Sequence, residues 1–409
     1  MRFLHLSDLH LGKSIHGVSL LESGDQAVWV ERFLMLCDRV KPDAVLVAGD
    51  VYDRSAPSGD AMQLLSHMLT ELAARSIPVM LSAGNHDSVQ RLSFAAPLLS
   101  RQGVHISRPL SESPELVHIP LRDEHGTVTF WLMPYVFPAM IAHVLGEDCP
   151  RDNDGAVRAL LARQPVDFSQ RNVLVAHQYV TAGGAEGLRG GSESMIGGVG
   201  QIDYTAFDGF DYAALGHIHA AYPVGRETVR YAGSPLCYHF DETRQPAKGP
   251  VLVEIGAKGE AITSETLIIP PLHPMREMKG EFERLRAEAI ADTRRGEYLR
   301  VVLTDRRVTQ EIASFFRDLC ESRDSVLMEI ASEYHAYSDV KGPERSAVEQ
   351  KSVEALFTDF FAERMGGELP TESEAALIAY AGELLLGGLP QEKQIDRLLA
   401  FAQEQEGDA

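Results

Sequence analysis

Residues 44–54 read Ala44-Val45-Leu46-Val47-Ala48-Gly49-Asp50-Val51-Tyr52-Asp53-Arg54. Five consecutive apolar residues ended at once by a glycine are too short for a helix and fit a strand buried on both faces. The residues after the run matter more, because two carboxylates stand where the chain must turn. Four other apolar runs end the same way. Residues 3–6 lead into Asp8-Leu9-His10, and 79–82 into Gly84-Asn85-His86-Asp87. Residues 173–176 lead into His177, and 212–215 into Gly216-His217-Ile218-His219. A further run spans 128–133, and helical spacing appears over 27–40 and 61–74. Strands alternating with helices predict layered βα units, and in such sheets the carboxyl ends of the strands share one edge, where ligands bind. Five chemistry-bearing turns are therefore expected to converge.

From about residue 229 the pattern changes to strands separated by turns, over 229–232, 251–255 and 262–268, which predicts a mostly antiparallel closing section. The stretch Ile269-Pro270-Pro271-Leu272-His273-Pro274 cannot continue regular structure, so a boundary is expected there. Beyond it a helix over 280–292, a strand over 298–303, a helix over 310–321 and a strand over 325–330 predict a small α+β module. Apolar stripes at Val353, Phe357, Phe360 and Phe361, then at Ile378, Ala381, Leu384 and Leu385, predict short helices with little core of their own. The expected division is 1–274, 275–338 and 339–409. Eight glycines within 183–200 predict a flexible loop or, more sharply, a mobile segment bordering a site.

Composition excludes disordered and collagen-like classes, with 44% hydrophobic and 24% charged residues over 409. Four cysteines without a C-x-x-C pair indicate neither a zinc ribbon nor a disulfide framework. The first residues resemble a strand rather than a signal peptide, and no run approaches a membrane span, so the cytoplasm is expected, with no membrane partner. The formal charge of −21 argues, taken alone, against nucleic acid. Residues 341–409 hold 6 Lys and Arg against 14 Asp and Glu, or −8, leaving −13 on the rest. Two divalent ions would offset part of that remainder.

Each strand-end motif is weak singly, but five in order predict a metal centre. Carboxylate, amide and imidazole without thiolate suit borderline-hard divalent ions such as manganese. Seven such side chains, Asp8, His10, Asp50, Asn85, His177, His217 and His219, exceed one ion's needs and suit a bridged pair that activates water against a phosphoryl group. The overlapping stretch Ser7 to Ser14 falls one glycine short of a Walker A loop and opens no helix, so nucleotide cradling is not expected. Lys13, His16, Arg54 and Arg189 are candidate substrate contacts. Arg226, Arg230, Lys248, Arg294-Arg295 and Arg306-Arg307 are further scattered cations suited to phosphate.

The order D-x-H, G-D-x-x-D-R, G-N-H-D, H and G-H-x-H resembles the calcineurin-like metallophosphoesterases. Within them it is similar to nuclease subunits that work with a coiled-coil ATPase, through Ser7 to Gly12, Gly49 to Asp53, Ala214 to His219 and Val229 to Pro235. The resemblance implies an α/β fold: a four-layer β-sandwich flanked by helices, with a small α+β capping domain and a C-terminal helical tail. It implies one metal on Asp8, His10, Asp50 and His219, and a second on Asp50, Asn85, His177 and His217. His86 would be general acid or transition-state stabiliser, oriented by Asp87, while Asp53 and Arg54 would brace their loop. It further implies DNA as substrate, cleaved as double-strand exonuclease and single-strand endonuclease, a cap that selects DNA ends, a tail that docks on the ATPase, and two copies of each subunit. His239 departs from the serine common among such relatives. Rival expectations are a dimetal phosphodiesterase for a small molecule and a scaffold subunit that holds the ATPase.

Overall fold

The computed structural model describes residues 1–334 apart from Glu112, Glu147, 185–199, Pro246 and Ala247. Expectations for Arg189, for most of the glycine-rich loop and for the tail therefore lie outside the described residues. Met1–Tyr334 form one compact unit.

Two six-stranded sheets make its centre. In the first the order is Thr263–Thr266, Val251–Glu254, Arg2–Leu6, Ala44–Ala48, Val79–Ser82 and Val104–Ile106. In the second it is Tyr222–Val224, Arg226–Tyr231, Tyr212–Gly216, Arg171–His177, Gly126–Met133 and Val117–Asp123. The site-bearing strands are parallel neighbours within each sheet, so their carboxyl ends lie on one edge.

Alternation of side chains across each strand divides the core into three layers. Phe3, Leu46, Ala48 and Met80 meet Phe130, Val173, Val175 and Tyr212 between the sheets. Leu4, Val45 and Val47 face helices Asp25–Val40 and Gly59–Ala74 through Phe33, Leu34 and Met68. Leu174, Ala176 and Leu215 face Pro138–Leu145 and Asn153–Ala162 through Ile141, Val157 and Leu160. Helix, sheet, sheet and helix thus form the four layers expected.

Two strand expectations change. Arg226–Tyr231 runs parallel to Tyr212–Gly216, and only Val251–Glu254 and Thr263–Thr266 supply the antiparallel closure of the first sheet. The chain crosses between sheets after Tyr231, since Arg226–Tyr231 belongs to the second sheet and Val251–Glu254 to the first. The module after the proline stretch begins with a further strand, Met275–Gly280, whose Arg276, Glu277 and Lys279 hid its period. It pairs in parallel with Tyr298–Leu303, which pairs in parallel with Val326–Ser332. Phe282–Ala291 and Gln310–Glu321 cover this sheet over Leu285, Val301, Ile312 and Phe316. Among the described residues no helix is long and apolar enough to cross a membrane.

Candidate active site

The strand ends are zipped together by backbone before any side chain is considered. Asp8 N–H donates to Gly49 O at 3.0 Å, and His10 N–H to Asp50 O at 2.9 Å. Four candidate ligands occupy the left-handed region, which non-glycine residues seldom enter: Asp8 at φ 53°, His10 at 42°, Asp50 at 49° and His217 at 102°. Such strain persists where surrounding contacts over-determine it, and it clusters at functional sites. Two glycines make room. A Cβ on Gly49 would overlap the His177 ring, and one on Gly84 would overlap the Asp50 carboxylate.

The seven expected ligands converge, and all but Asn85 and His217 are buried outright. His10 Nε2 lies 3.5 Å and His177 Nε2 3.3 Å from Asp50 Oδ2, so Asp50 stands between the two groups. On one side His219 Nε2 is 3.3 Å from His10 Nε2 and 4.0 Å from Asp8 Oδ1. On the other, Asn85 Oδ1 is 3.0 Å from His177 Nε2 and 3.1 Å from His217 Nδ1. Ligand atoms of Asp8, His10 and His219, and of Asp8, Asp50 and His177, each lie within 4.8 Å of one another. The carbonyl of Ala48 accepts from His177 Nδ1–H at 2.8 Å, which turns Nε2 into the site. Asp8 is braced by the backbone amide of His217 at 3.1 Å.

Electrostatics record this crowding. Burial works against the Asp50 charge, yet the His177 imidazole beside it holds the carboxyl below the usual range. Burial also opposes protonation of His177, but the Asp50 charge raises it to about 9. His217, buried without an equal counter-charge and facing His177, falls to about 3. Imidazole and carboxylate donors packed this closely, with no thiol, are the donor set of a divalent cation pair.

His86 lies beside the cluster, with a ring nitrogen within 4.8 Å of ligand atoms of His10 and Asp50. Its orientation has another source. The Asp53 carbonyl accepts from His86 Nδ1 at 2.9 Å, whereas Asp87 accepts from the amides of Val51, Tyr52 and Gly84 at 3.1, 2.9 and 2.8 Å. Asp87 therefore ties two strand-end loops together rather than aiming the His86 ring. Burial and the nearby Asp50 charge raise its carboxyl to about 6.

The candidate substrate contacts fare differently. Lys13 Nζ is committed to Asp53 at 2.8 Å. His16 lies 3.7 Å from Glu329 and packs on Phe240. Arg54 is 81% exposed, 3.9 Å from Asp53. Several scattered cations are also occupied: Arg226 donates to Phe207 O and Phe210 O, and Arg294, Arg295 and Arg306 pair with Asp292, Asp324 and Asp305. His239 Nδ1 accepts from Asp241 N–H at 3.2 Å, capping a short helical turn much as a serine would. Sequence reading missed Glu242, whose Oε1 accepts from His219 Nδ1 at 3.1 Å. It also missed Tyr238, whose ring stands 5.4 Å from those of both His10 and His219. Neither bears a local motif; an acidic residue soon after Gly233-Ser234-Pro235 was the one available signal.

Comparison with known proteins agrees with this geometry. The model of the calcineurin-like phosphoesterase family matches residues 1–221, and that of the type 5 capsule protein repressor C-terminal domain matches 271–365. The SbcCD nuclease D subunit of Staphylococcus saprophyticus subsp. saprophyticus is 32% identical over 304 residues, which cover 73% of this chain and 77% of that protein. A crystal structure from Thermus thermophilus is 9% identical at a TM-score of 0.37, covering 65% of this chain and 98% of its own. An archaeal phosphodiesterase is 10% identical at 0.28, covering 65% and 100%. These two stand as distant likenesses only. The chain belongs to the calcineurin-like phosphoesterases, in the family of the SbcCD nuclease D subunits.

Proposed function

We propose that the chain hydrolyses DNA phosphodiesters with two divalent cations, most readily manganese, one held by Asp8, His10, Asp50 and His219 and the other by Asp50, Asn85, His177 and His217. The observation that carries this reading is the 3.3 Å approach of His10 Nε2 and His219 Nε2. Each ring turns its far nitrogen toward a carboxylate, His10 toward Asp53 and His219 toward Glu242. Two imidazole nitrogens this close need a proton or a cation between them, and the Asp50 and Asp8 carboxylates beside them supply the further donors that a divalent cation requires. When bound, such ions supply Lewis acidity toward the phosphate and an activated water for in-line displacement.

The chain's own groups do the rest. His86, held at Nδ1 by the Asp53 carbonyl, presents its other nitrogen to protonate the leaving oxygen or to stabilise the charge developing on phosphate. Asp87 is a positioning residue that keeps the Asp50 and Asn85 loops in register. By likeness to the D subunit of SbcCD, the activities are those of a double-strand exonuclease and single-strand endonuclease in DNA repair, recombination and replication. The partner is an SbcC-type coiled-coil ATPase, docked by residues 339–409 in a complex with two copies of each subunit. Residues 275–338 act as the cap that selects DNA ends. The protein works in the cytoplasm, at the nucleoid.

The test is degradation of linear double-stranded DNA with manganese, by wild type and by Asp50→Ala, with and without the ATPase. Activity in wild type and its loss in the variant are expected. Hydrolysis of a simple phosphodiester with every DNA left intact would hand the reading to a small-molecule phosphodiesterase, and an unchanged Asp50→Ala complex would leave only a scaffold.

A further inference from the structure

Behind His219, on the side away from the ligand cluster, lies a buried ion pair that takes no part in the chemistry above. Glu242 is 1% exposed. Its Oε1 meets His219 Nδ1 at 3.1 Å, and its Oε2 meets Lys248 Nζ at 2.9 Å, the Tyr238 amide at 3.2 Å and Ser234 Oγ at 3.3 Å. The Lys248 ammonium also donates to the carbonyl of His219 itself at 2.8 Å and to Ser234 Oγ at 2.7 Å, so its three protons have three acceptors. One lysine thus grips both the backbone of His219 and the carboxylate that faces its ring.

Burying two charges costs several kcal/mol in general, and breaking such a pair costs more than replacing it with apolar residues. Nothing about stacking two sheets requires an ion pair here. The pair's distinctive effect is to present an acceptor to His219 Nδ1, which forces the Nδ1–H tautomer and leaves the Nε2 lone pair directed at His10 and Asp8. A carboxylate behind a ligating imidazole also raises the basicity of the ligand nitrogen. His10 is held less firmly: its Nδ1 approaches Asp53 at 3.5 Å without a hydrogen bond, and Asp53 is bound by Lys13 at 2.8 Å. The lysine–carboxylate–imidazole chain through Glu242 therefore acts on His219, whose ring stands 5.4 Å from that of Tyr238, itself anchored by its hydroxyl donating to Leu9 O at 2.6 Å.

We infer that Glu242, held by Lys248, is a positioning residue that fixes the tautomer and orientation of His219, and that it thereby sets the cation affinity of the group containing Asp8, His10 and His219. The inference rests on the proposed ligand assignment and adds to it the residue that makes one ligand competent.

Full-length wild type, His219→Ala, Glu242→Gln and Glu242→Leu are compared for manganese binding by titration calorimetry. The ring nitrogen shifts of His219 in the metal-free, 15N-histidine-labelled protein report the tautomer. In wild type the shifts should identify Nδ1 as the protonated nitrogen. Glu242→Gln, which keeps an acceptor but loses the charge, should weaken one of the two sites about tenfold, and Glu242→Leu up to about a hundredfold, with the second site unaltered and the tautomer mixed in Glu242→Leu. If either single variant fails to fold because Lys248 is left uncompensated, the pair Glu242→Leu with Lys248→Met supplies the same readout in an apolar pocket. If His219→Ala loses one ion while the Glu242 variants bind both with wild-type affinity, the positioning role is overturned and the ligand assignment stands. If His219→Ala itself binds two ions as wild type does, the assignment falls, and the inference with it.

Discussion

Asp50 is the residue on which the two ligand groups meet, and its backbone shows why so few sequences can build the site. It sits at φ 49°, directly after Gly49 at φ 82°, with its Oδ1 accepting from the amide of His86 at 2.9 Å. The carboxylate is thereby aimed between His10 and His177 before any ion is considered. The role proposed for His86, acting on the phosphate rather than holding a cation, makes a prediction: replacement by asparagine should lower phosphodiester hydrolysis by about 10²- to 10⁴-fold while the manganese content measured by mass spectrometry is unchanged. Loss of metal together with activity would make His86 a ligand instead. A second histidine makes a testable statement about stability. His5 is wholly buried between the sheets, with Nδ1 at 3.1 Å from Tyr212 Oη and Nε2 at 3.1 Å from Leu215 O. Burial lowers it from 6.5 to about 3. Because the folded value is depressed, its contribution is fully present above pH 6.5 and is lost as the pH falls toward 3, at up to about 1.4 kcal/mol per pH unit. In His5→Gln, denaturant unfolding should depend less on pH across that window than in wild type.

At the scale of elements, the helix Gly59–Ala74 connects two site-bearing strands and so governs how their ends align. Ser58 caps it, with Oγ accepting from Ala61 N–H at 3.2 Å. Ser58→Ala should cost about 1 kcal/mol, read as a lower unfolding midpoint with manganese affinity intact, since Leu65, Met68 and Leu72 still anchor the helix. The strand Met275–Gly280 illustrates the opposite relation between sequence and element. Its Met-Arg-Glu-Met-Lys-Gly sequence has no two-residue alternation and carries little strand signal. It becomes a strand because Arg276 pairs with Asp292 and Glu297 while Met278 enters the core beneath the two helices of its module.

At the scale of the whole molecule, charge and binding part company. The chain carries −21, and many of the arginines and lysines that might have met phosphate are spent on Asp, Glu or backbone carbonyls within the fold. Fluorescence anisotropy should therefore find that the isolated protein binds duplex DNA no more tightly than about 10⁻⁶ M at physiological salt, the ordinary non-specific range. Markedly tighter binding would mean that the metal edge and the exposed Arg54 suffice without a partner. Truncation near residue 340 should abolish co-purification with the ATPase while manganese binding persists, because all seven candidate ligands precede it in one compact unit. Retained co-purification would remove the docking role from the tail.

Strand existence, the alternation with helices and the seven side chains that converge were legible in the chain itself because they are local facts. An apolar run that ends in a metal-binding residue can be read without knowing its neighbours, and parallel strands carry such ends to one edge by topology alone. The partners of those ligands were not legible. Glu242 reaches His219 across 23 residues and Asp87 reaches Val51 across 36, and no periodicity encodes either contact. Lys248, read as a cation for phosphate, turned out to be an internal strut, and the orientation of His86 came from the Asp53 backbone carbonyl rather than from its sequence neighbour. Hydrogen bonds of this kind depend on how two sheets and their connecting loops stack in space. Only the tertiary structure decides that, because buried donors and acceptors must find whichever partners the packing brings within about 3 Å.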